Sequence, residues 1–188
     1  LQQGASVAIV ERDEAICTSS ATGAGQGYLW LAHRDVASPL WPLAVHSRAI
    51  WQELLGSVPA LTPAAVEWQP TGSLLLANSQ EEGEGLRVRQ ELLAQAGLQA
   101  SLLTAAEAKA LVPALALDAS SGGALLCPTD AQINGRAAAA AVLEACRSYG
   151  SHRFTALFGD EAQQLVSDAG RVQGVQTFTP EQKEPSWQ

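Results

Sequence analysis

An acid at the end of an apolar segment and a small-residue loop soon after it could together bind a nucleotide. Residues 6–10 are predicted to form a short, fully buried strand, and Glu11 follows them directly. A carboxylate at this point of a nucleotide-binding fold accepts hydrogen bonds from the 2′- and 3′-hydroxyls of a ribose. The loop over residues 18–27 is rich in Ser, Thr and Gly, so its backbone N–H groups and hydroxyls can approach a phosphate.

Composition excludes several classes of function. A length of 188 residues suits one ordinary domain or a domain and a half, and a composition of 47% hydrophobic and 16% charged residues is typical of a globular protein. No apolar run approaches the roughly 18 residues of a membrane span. The net charge of −8 argues against nucleic acid or an anionic membrane as the main partner and favours solubility.

Cysteine and histidine positions give no metal site. Cys17, Cys127 and Cys146 are widely spaced and odd in number, which indicates neither a zinc site nor a disulfide framework. This usage favours an intracellular, reducing compartment. The three histidines show no metal-ligand spacing. The five tryptophans could form a substrate cage, but their scatter favours packing in a core or domain interface.

Helices and strands that would position the loop alternate along the chain. Helices are predicted over residues 39–55, 80–96, 104–112 and 136–147, and strands over 73–77, 123–127, 153–158, 165–166 and 171–178. Thr104 and Glu107 fit a capping box, and Gly4 fits the left-handed position after a helix end. The interleaving indicates an α/β or α+β fold.

The order of these segments resembles the D-amino acid oxidase superfamily of FAD-dependent oxidoreductases, the group that contains glycine oxidase, sarcosine oxidase and D-amino acid dehydrogenase. The resemblance extends over about residues 1–178, through segments 6–13, 18–27, 44–47, 70–77, 128–134 and 170–175. It implies an α/β fold: a partial Rossmann-like FAD-binding domain with an inserted α+β substrate subdomain. The expected division is FAD-binding segments at 1–66 and 131–178, the insertion at 67–130, and a disordered tail at 179–188.

The resemblance also implies which residues contact FAD. Glu11 would bind the ribose, Arg12 would lie near the adenosine, and Ala162 would hold the adenine through its backbone. The loop residues would lie against the pyrophosphate and the isoalloxazine ring: Thr18, Ser19, Gly23, Ala24, Gly25 and Gln26. The alternatives are an exposed acid at a strand end, a solvated arginine, and ordinary loop or helix-cap chemistry.

The implied function is oxidation of a C–N bond in a small amine or amino acid, with hydride transfer to FAD. The chain opens at Leu1, and Glu11 leaves no room for the GxGxxG fingerprint that precedes such an acid by about 20 residues. We therefore expect a fragment that also lacks the family's C-terminal half. The alternative is a non-catalytic remnant that binds no flavin by itself. An NAD-binding domain is disfavoured by the long small-residue loop and the inserted segment.

Overall fold

Helices and strands alternate along the part of the chain that the computed structural model describes, residues 3–149 and 152–179. In chain order they are β1 (Val7–Glu11), α1 (Ala21–Ala24), β2 (Tyr28–Leu29), α2 (Trp41–Ser57), β3 (Ser73–Ala77), α3 (Gln80–Gln95), β4 (Ser101–Leu103), α4 (Ala105–Leu111), β5 (Gly123–Cys127), β6 (Ala131–Gln132), α5 (Gly135–Tyr149), β7 (Phe154–Phe158), β8 (Glu161–Asp168) and β9 (Arg171–Phe178).

Two predictions concern the chain ends. Gly4 has φ +87°, the left-handed conformation that the sequence predicts for it. The rest of the proposed helix end, at Leu1 and Gln2, lies outside the described residues. The tail predicted to be disordered also lies outside them, apart from Thr179.

The chain divides into two compact units. The first comprises the described residues of Leu1–Gln26, Val58–Val66 and Asn134–Gln188. The second comprises Gly27–Ser57 and Glu67–Ile133. The functional domains expected from the sequence remain a prediction, since compactness alone does not assign a role to either unit.

In the first unit, β1 and β7 pair in parallel, so that Glu11 lies opposite Phe158 at their carboxyl ends. The prediction that the first strand is fully buried is wrong, because Val7 is 36% exposed and no residue of β1 is completely buried. Within the described residues the strand has a single neighbour, which leaves much of its surface uncovered. β8 and β9 follow as an antiparallel hairpin.

Helix α5 supports the small-residue loop of the first unit. Its alanine-rich sequence favours helix, and it begins after Asn134, whose side-chain oxygen accepts hydrogen bonds from the amides of Arg136 at 3.0 Å and Ala137 at 3.1 Å. Gly135 allows a close approach to α1, because a Cβ there would lie 2.8 Å from the carbonyl oxygen of Thr22. The start of α5 therefore fixes the position of α1.

The second unit is built on a three-stranded antiparallel sheet in the order β3-β5-β4. Its core includes Ala77, Leu86, Leu93 and Leu125, which bring α3 onto the sheet. The capping box predicted at the start of α4 is confirmed. β2 and β6 form a separate antiparallel pair. None of the helices within the described residues is long and apolar enough to cross a membrane.

Candidate functional site

The predicted ribose-binding acid lies at the carboxyl end of β1. Glu11 is the last residue of the strand and is half-buried. Its Oε1 accepts a hydrogen bond from the amide of Asp13 at 3.1 Å. Among the described residues, nothing donates to Oε2 of the same carboxylate. One oxygen therefore orients the side chain, and the other can accept from a ribose hydroxyl.

The turn between β7 and β8 holds the backbone of this acid and of the residues that follow it. The amide of Asp160 donates to the carbonyl of Glu11 at 3.2 Å, and the amide of Gly159 donates to the carbonyl of Asp13 at 3.1 Å. Ala162 follows in β8, where it is exposed and paired with Thr177. The structure thus places Ala162 two residues after a residue bonded to Glu11.

Asp13 closes the loop that follows β1. Its Oδ2 accepts from the amide of Ser19 at 2.8 Å and from the Ser19 hydroxyl at 2.5 Å. These hydrogen bonds hold the pKa of the Asp13 carboxyl below its usual value, and the bond from the hydroxyl has the larger effect. The exposed Arg12 donates to the Ser19 Oγ at 3.5 Å. Sequence reasoning missed Asp13, because an Asp and a Ser six positions apart are common in loops of many shapes.

The hydroxyl protons of the two predicted phosphate ligands are already engaged within the loop. Thr18 donates to the carbonyl of Ala15 at 3.0 Å, and Ser19 donates to Asp13. In this arrangement both hydroxyls can accept a hydrogen bond but cannot donate one. A phosphate has no proton to give at its ionised oxygens, so contact with it requires these hydroxyls to exchange partners.

The structure gives a packing reason for the first glycine of the loop. A Cβ on Gly23 would lie 1.9 Å from the carbonyl oxygen of Cys17, a buried residue with φ +62°. The Ser20 side chain caps α1 by accepting from the amide of Gly23 at 3.3 Å. Arg136 of α5 donates to the Gly23 carbonyl at 3.5 Å. The helical turn is therefore held from both ends.

The remaining residues of the loop are open to solvent. Ala24, Gly25 and Gln26 are all exposed, and Gln26 makes a further interaction. Within the first unit, Arg12 and Asp13 hold Ser19 near the end of β1, whereas Thr18 contacts the carbonyl of Ala15. The structure contains no group of three or more His, Cys, Asp or Glu side chains arranged for a metal anywhere in residues 3–149 and 152–179.

A buried acid in the second unit was not assigned a role by sequence reasoning. Asp130 is 1% exposed. Its Oδ1 accepts from the amide of Leu31 at 2.9 Å, and its Oδ2 accepts from the amide of Ala32 at 3.3 Å and from the Ser73 hydroxyl at 2.7 Å. Each bond is charge-assisted, so this carboxylate fixes the backbone after β2.

Arg89 of α3 binds the same backbone segment from its carbonyl side. Its Nε donates to the carbonyl of Ala32 at 2.8 Å, and its Nη2 donates to the carbonyls of Leu31 and Arg34. A carboxylate thus holds the amides and a guanidinium holds the carbonyls of adjacent peptide groups. The aromatic residues beside this segment are consequently held on a rigid backbone.

The Cys127 thiol lies next to this cluster. Burial, aided by the neighbouring Asp130 carboxylate, raises the pKa of Cys127 to about 11. The ordinary value is 9.0, so between about pH 9 and 11 the thiol ionises readily only in the unfolded state. The folded state therefore loses stability as the pH rises through this range.

We expect Cys127 to resist alkylation at pH 8 until the protein unfolds. A pKa two units above the ordinary value lowers the thiolate fraction by about a hundredfold, and burial restricts the reagent further. Peptide mass spectrometry after iodoacetamide treatment, with and without urea, measures this directly. The half-exposed Cys146 is the internal reference. Equal labelling of the two thiols in the folded protein would contradict the expectation.

The parallel β1–β7 pair, with an acid at its carboxyl end and a glycine-containing turn after it, fits a partial Rossmann-like fold. Residues 1–184 match the sequence model of a protein family, DAO, which is described as FAD dependent oxidoreductase. The chain therefore belongs to this family, and its α/β fold class is confirmed.

Solved structures share this fold over most of the chain. Glycine oxidase from Bacillus cereus matches with a TM-score of 0.78 and 24% identity, over 94% of this chain and 46% of that one. Glycine oxidase from Geobacillus kaustophilus matches with a TM-score of 0.73 and 28% identity, over 87% and 42%. L-α-glycerophosphate oxidase from Mycoplasma pneumoniae, solved with FAD bound, matches with a TM-score of 0.68 and 14% identity, over 87% and 41%.

The chain thus spans less than half the length of these proteins. No curated protein sequence matches it significantly.

Proposed function

We propose that this chain holds the ribose side of an FAD site in an enzyme that oxidises the C–N bond of a small amine or amino acid. The observation that carries the proposal is the Glu11 carboxylate at the end of β1, with one oxygen fixed by Asp13 and the other open. Membership of an FAD-dependent family supports the cofactor, and the likeness to glycine oxidases supports an amino-acid substrate.

The residues present fit FAD at the ribose. Glu11 would accept from the ribose hydroxyls, and the exposed Arg12 and Ala162 would lie on the side of the adenosine. The exposed backbone of Ala24 and Gly25 would face the rest of the cofactor. Bound flavin would supply the redox chemistry by accepting a hydride from the substrate carbon.

The loop residues Thr18 and Ser19 would contribute after a local exchange of hydrogen bonds. Their hydroxyl protons are directed to Ala15 and Asp13, so a pyrophosphate would have to compete with the Asp13 carboxylate for Ser19. Like charges repel, so an arriving phosphate favours movement of Asp13 away from the loop. In this proposal Asp13 keeps the loop ordered before the cofactor binds.

The direct test is the visible absorption spectrum of the purified chain after incubation with FAD and desalting. Retained flavin supports the proposal, and its anaerobic bleaching by glycine, sarcosine or D-alanine would test the substrate class. A colourless protein would favour the alternative, a non-catalytic chain that binds no flavin by itself.

Replacing Glu11 with alanine is expected to weaken FAD binding by about tenfold or more. A charge-assisted hydrogen bond to a ribose hydroxyl contributes roughly 1.5–3 kcal/mol, which corresponds to that change in Kd. Quenching of flavin fluorescence on titration measures the affinity. Glu14→Ala is the matched control, since it removes an exposed acid from the same turn. If the two variants bind FAD equally well, the assignment of Glu11 to the ribose is wrong.

A further inference from the structure

A cavity of about 460 Å³ lies in the second unit, bordered by α3, β4, α4 and the turn before β5. Pockets for small ligands typically have volumes of about 300–1,000 Å³, so one small molecule fits this space. All of the lining residues belong to the second unit, and none of them is among the residues proposed to contact FAD. The cavity is therefore a candidate site for a molecule other than the cofactor.

Glycines and short or aliphatic side chains form much of the cavity wall. A Cβ on Gly83 of α3 would lie 2.8 Å from the Cα of Gly122, so the two backbones are in contact there. A Cβ on Gly123, which has φ +83°, would lie 2.2 Å from the carbonyl oxygen of Leu103. The other apolar residues of the lining are Leu102, Ala105, Ala106 and Ala119. This wall favours a ligand with an aliphatic part.

Arg87 of α3 is the one positively charged residue of the lining. Its Nη1 donates to Oε2 of Glu84 at 3.0 Å, and Glu84 lies outside the lining. The Arg87 side chain is 60% exposed, and its Nε and Nη2 have no acceptor among the described residues. These two nitrogens share one edge of the guanidinium plane, so they can donate two parallel hydrogen bonds to a carboxylate.

Glu107 of α4 is the one acid of the lining. Its Oε2 accepts from the amide and from the hydroxyl of Thr104, each at 2.8 Å, whereas its Oε1 has no donor among the residues that the structure describes. These bonds, chiefly that of the amide, hold the pKa of Glu107 below its usual value, so the carboxylate is ionised at neutral pH. Oε1 can therefore accept from an ammonium group.

Gln80 of α3 adds a neutral acceptor to the same lining. Its Nε2 donates to the carbonyls of Ser120 at 3.2 Å and Ser121 at 3.0 Å. These bonds orient the side-chain amide, and its Oε1 has no donor in the part of the chain that the structure describes. That oxygen can accept a second hydrogen bond from an ammonium group, which has three protons to donate.

The two charges of the lining do not pair with each other. The described ion pair of Arg87 is with Glu84, not with Glu107. The two residues belong to different helices, and Leu102 and Leu103 of β4 line the same cavity. A ligand that reaches both charges therefore needs one charge of each sign, and an aliphatic chain between them suits the wall.

We propose that this cavity binds a short zwitterion whose two charges lie at opposite ends of an aliphatic chain, as in an ω-amino acid. Its carboxylate binds Arg87, and its ammonium group binds Glu107 and the amide oxygen of Gln80. An α-amino acid differs from this class, because both of its charged groups are attached to one carbon atom. The inference goes beyond the proposed oxidation, since it involves neither FAD nor any residue assigned to it.

An NMR titration of the isotope-labelled 188-residue chain, without added FAD, tests the proposal. The probe is 5-aminopentanoate; pentanoate and pentylamine each lack one of its charges, and glycine lacks the aliphatic chain. We expect amide shifts at Ala106, Gly122 and Gly123, and an affinity about fivefold or more above that of each counterpart, because each lacks a charge-assisted hydrogen bond or the apolar contact. Rising salt should weaken the binding. Equal affinity for any counterpart, or no amide shifts at the cavity, would overturn the proposal.

Substitutions in the lining locate the binding. Arg87→Gln and Glu107→Gln are each expected to weaken 5-aminopentanoate about fivefold or more, since each removes a charge-assisted hydrogen bond. A capping box also accepts glutamine in place of Glu107, so the start of α4 is kept. Glu84→Gln is the matched control: it removes an acid outside the lining and frees Arg87, so the affinity should stay the same or rise. Thermal melts show whether each variant is folded. Unchanged affinity in a folded Arg87→Gln or Glu107→Gln variant would reject the site, whatever the result of the flavin experiment.

Discussion

Asp130→Ala is expected to lower the free energy of unfolding by roughly 3–5 kcal/mol, because it leaves several buried donors without an acceptor. The amides of Leu31 and Ala32 and the hydroxyl of Ser73 all donate to this carboxylate. The guanidinium of Arg89 would remain on the same backbone segment without the opposing charge. In a chain of this length such a loss lowers the Tm by about 6–20 °C.

Control variants distinguish the loss of a buried carboxylate from the loss of a negative charge alone. Asp35→Ala removes an exposed carboxylate that, among the described residues, accepts from the amide of Ala37 at 2.9 Å and from no other donor. It is expected to change stability by less than about 1 kcal/mol. Ser73→Ala should lower the stability by an amount between those of the two Asp variants, since it removes a donor together with its hydrogen bond. Circular dichroism melts of the three variants give the comparison. A melt of Asp130→Ala that coincides with that of Asp35→Ala would show that the carboxylate does not hold the segment.

The second large effect is expected at Gly23. Alanine there would place a Cβ 1.9 Å from the carbonyl oxygen of Cys17, and a backbone atom cannot move aside as a side-chain terminus can. Overpacking of this kind costs about 1–3 kcal/mol, and we expect the upper end of that range. The shift also displaces α1, so the proposed FAD affinity should fall together with the stability.

Other glycines of the chain provide open positions for comparison. A Cβ on Gly174 in β9, or on Gly56 in α2, meets no atom within 4 Å. Alanine at Gly56 is expected to stabilise the helix by up to about 1 kcal/mol, and alanine at Gly174 should be nearly neutral or slightly stabilising. Urea unfolding, with hydrogen exchange of the loop after β1, measures both effects. If Gly23→Ala is as stable as Gly174→Ala, the close contact with Cys17 does not exist in solution.

Much of the secondary structure could be predicted because its signals are local. The strands at Ser73–Ala77 and Gly123–Cys127 have the predicted bounds, since each is a short apolar run ended by turn residues. The capping box of Thr104 and Glu107 fixed the start of α4. The short strands β2, β4 and β6 were not predicted, since strands of two or three residues exist only through their partners. The single helical turn α1 was not predicted either, because its four residues are too few to show a helical pattern.

Some features of the candidate site could also be predicted from the sequence, whereas others could not. The acid after the first strand and the small-residue loop could be found from residue types alone, and the family resemblance that they support is confirmed. The roles of the individual residues at FAD stay predictions. The hydrogen bonds of Ser19 and Thr18 could not be predicted, because they depend on the path of an irregular loop around Asp13.

The sequence by itself determined the order of the longer helices and strands, the family, the acid at the end of β1 and the absence of metal-ligand spacing. Only the tertiary structure decided which donors and acceptors from distant segments are engaged. It brought Asp130 to the amide of Leu31, 99 positions away, and placed Gly23 against the Cys17 carbonyl. Periodicity and turn chemistry act over a few residues, whereas the partners of a buried polar group are set by how distant segments pack.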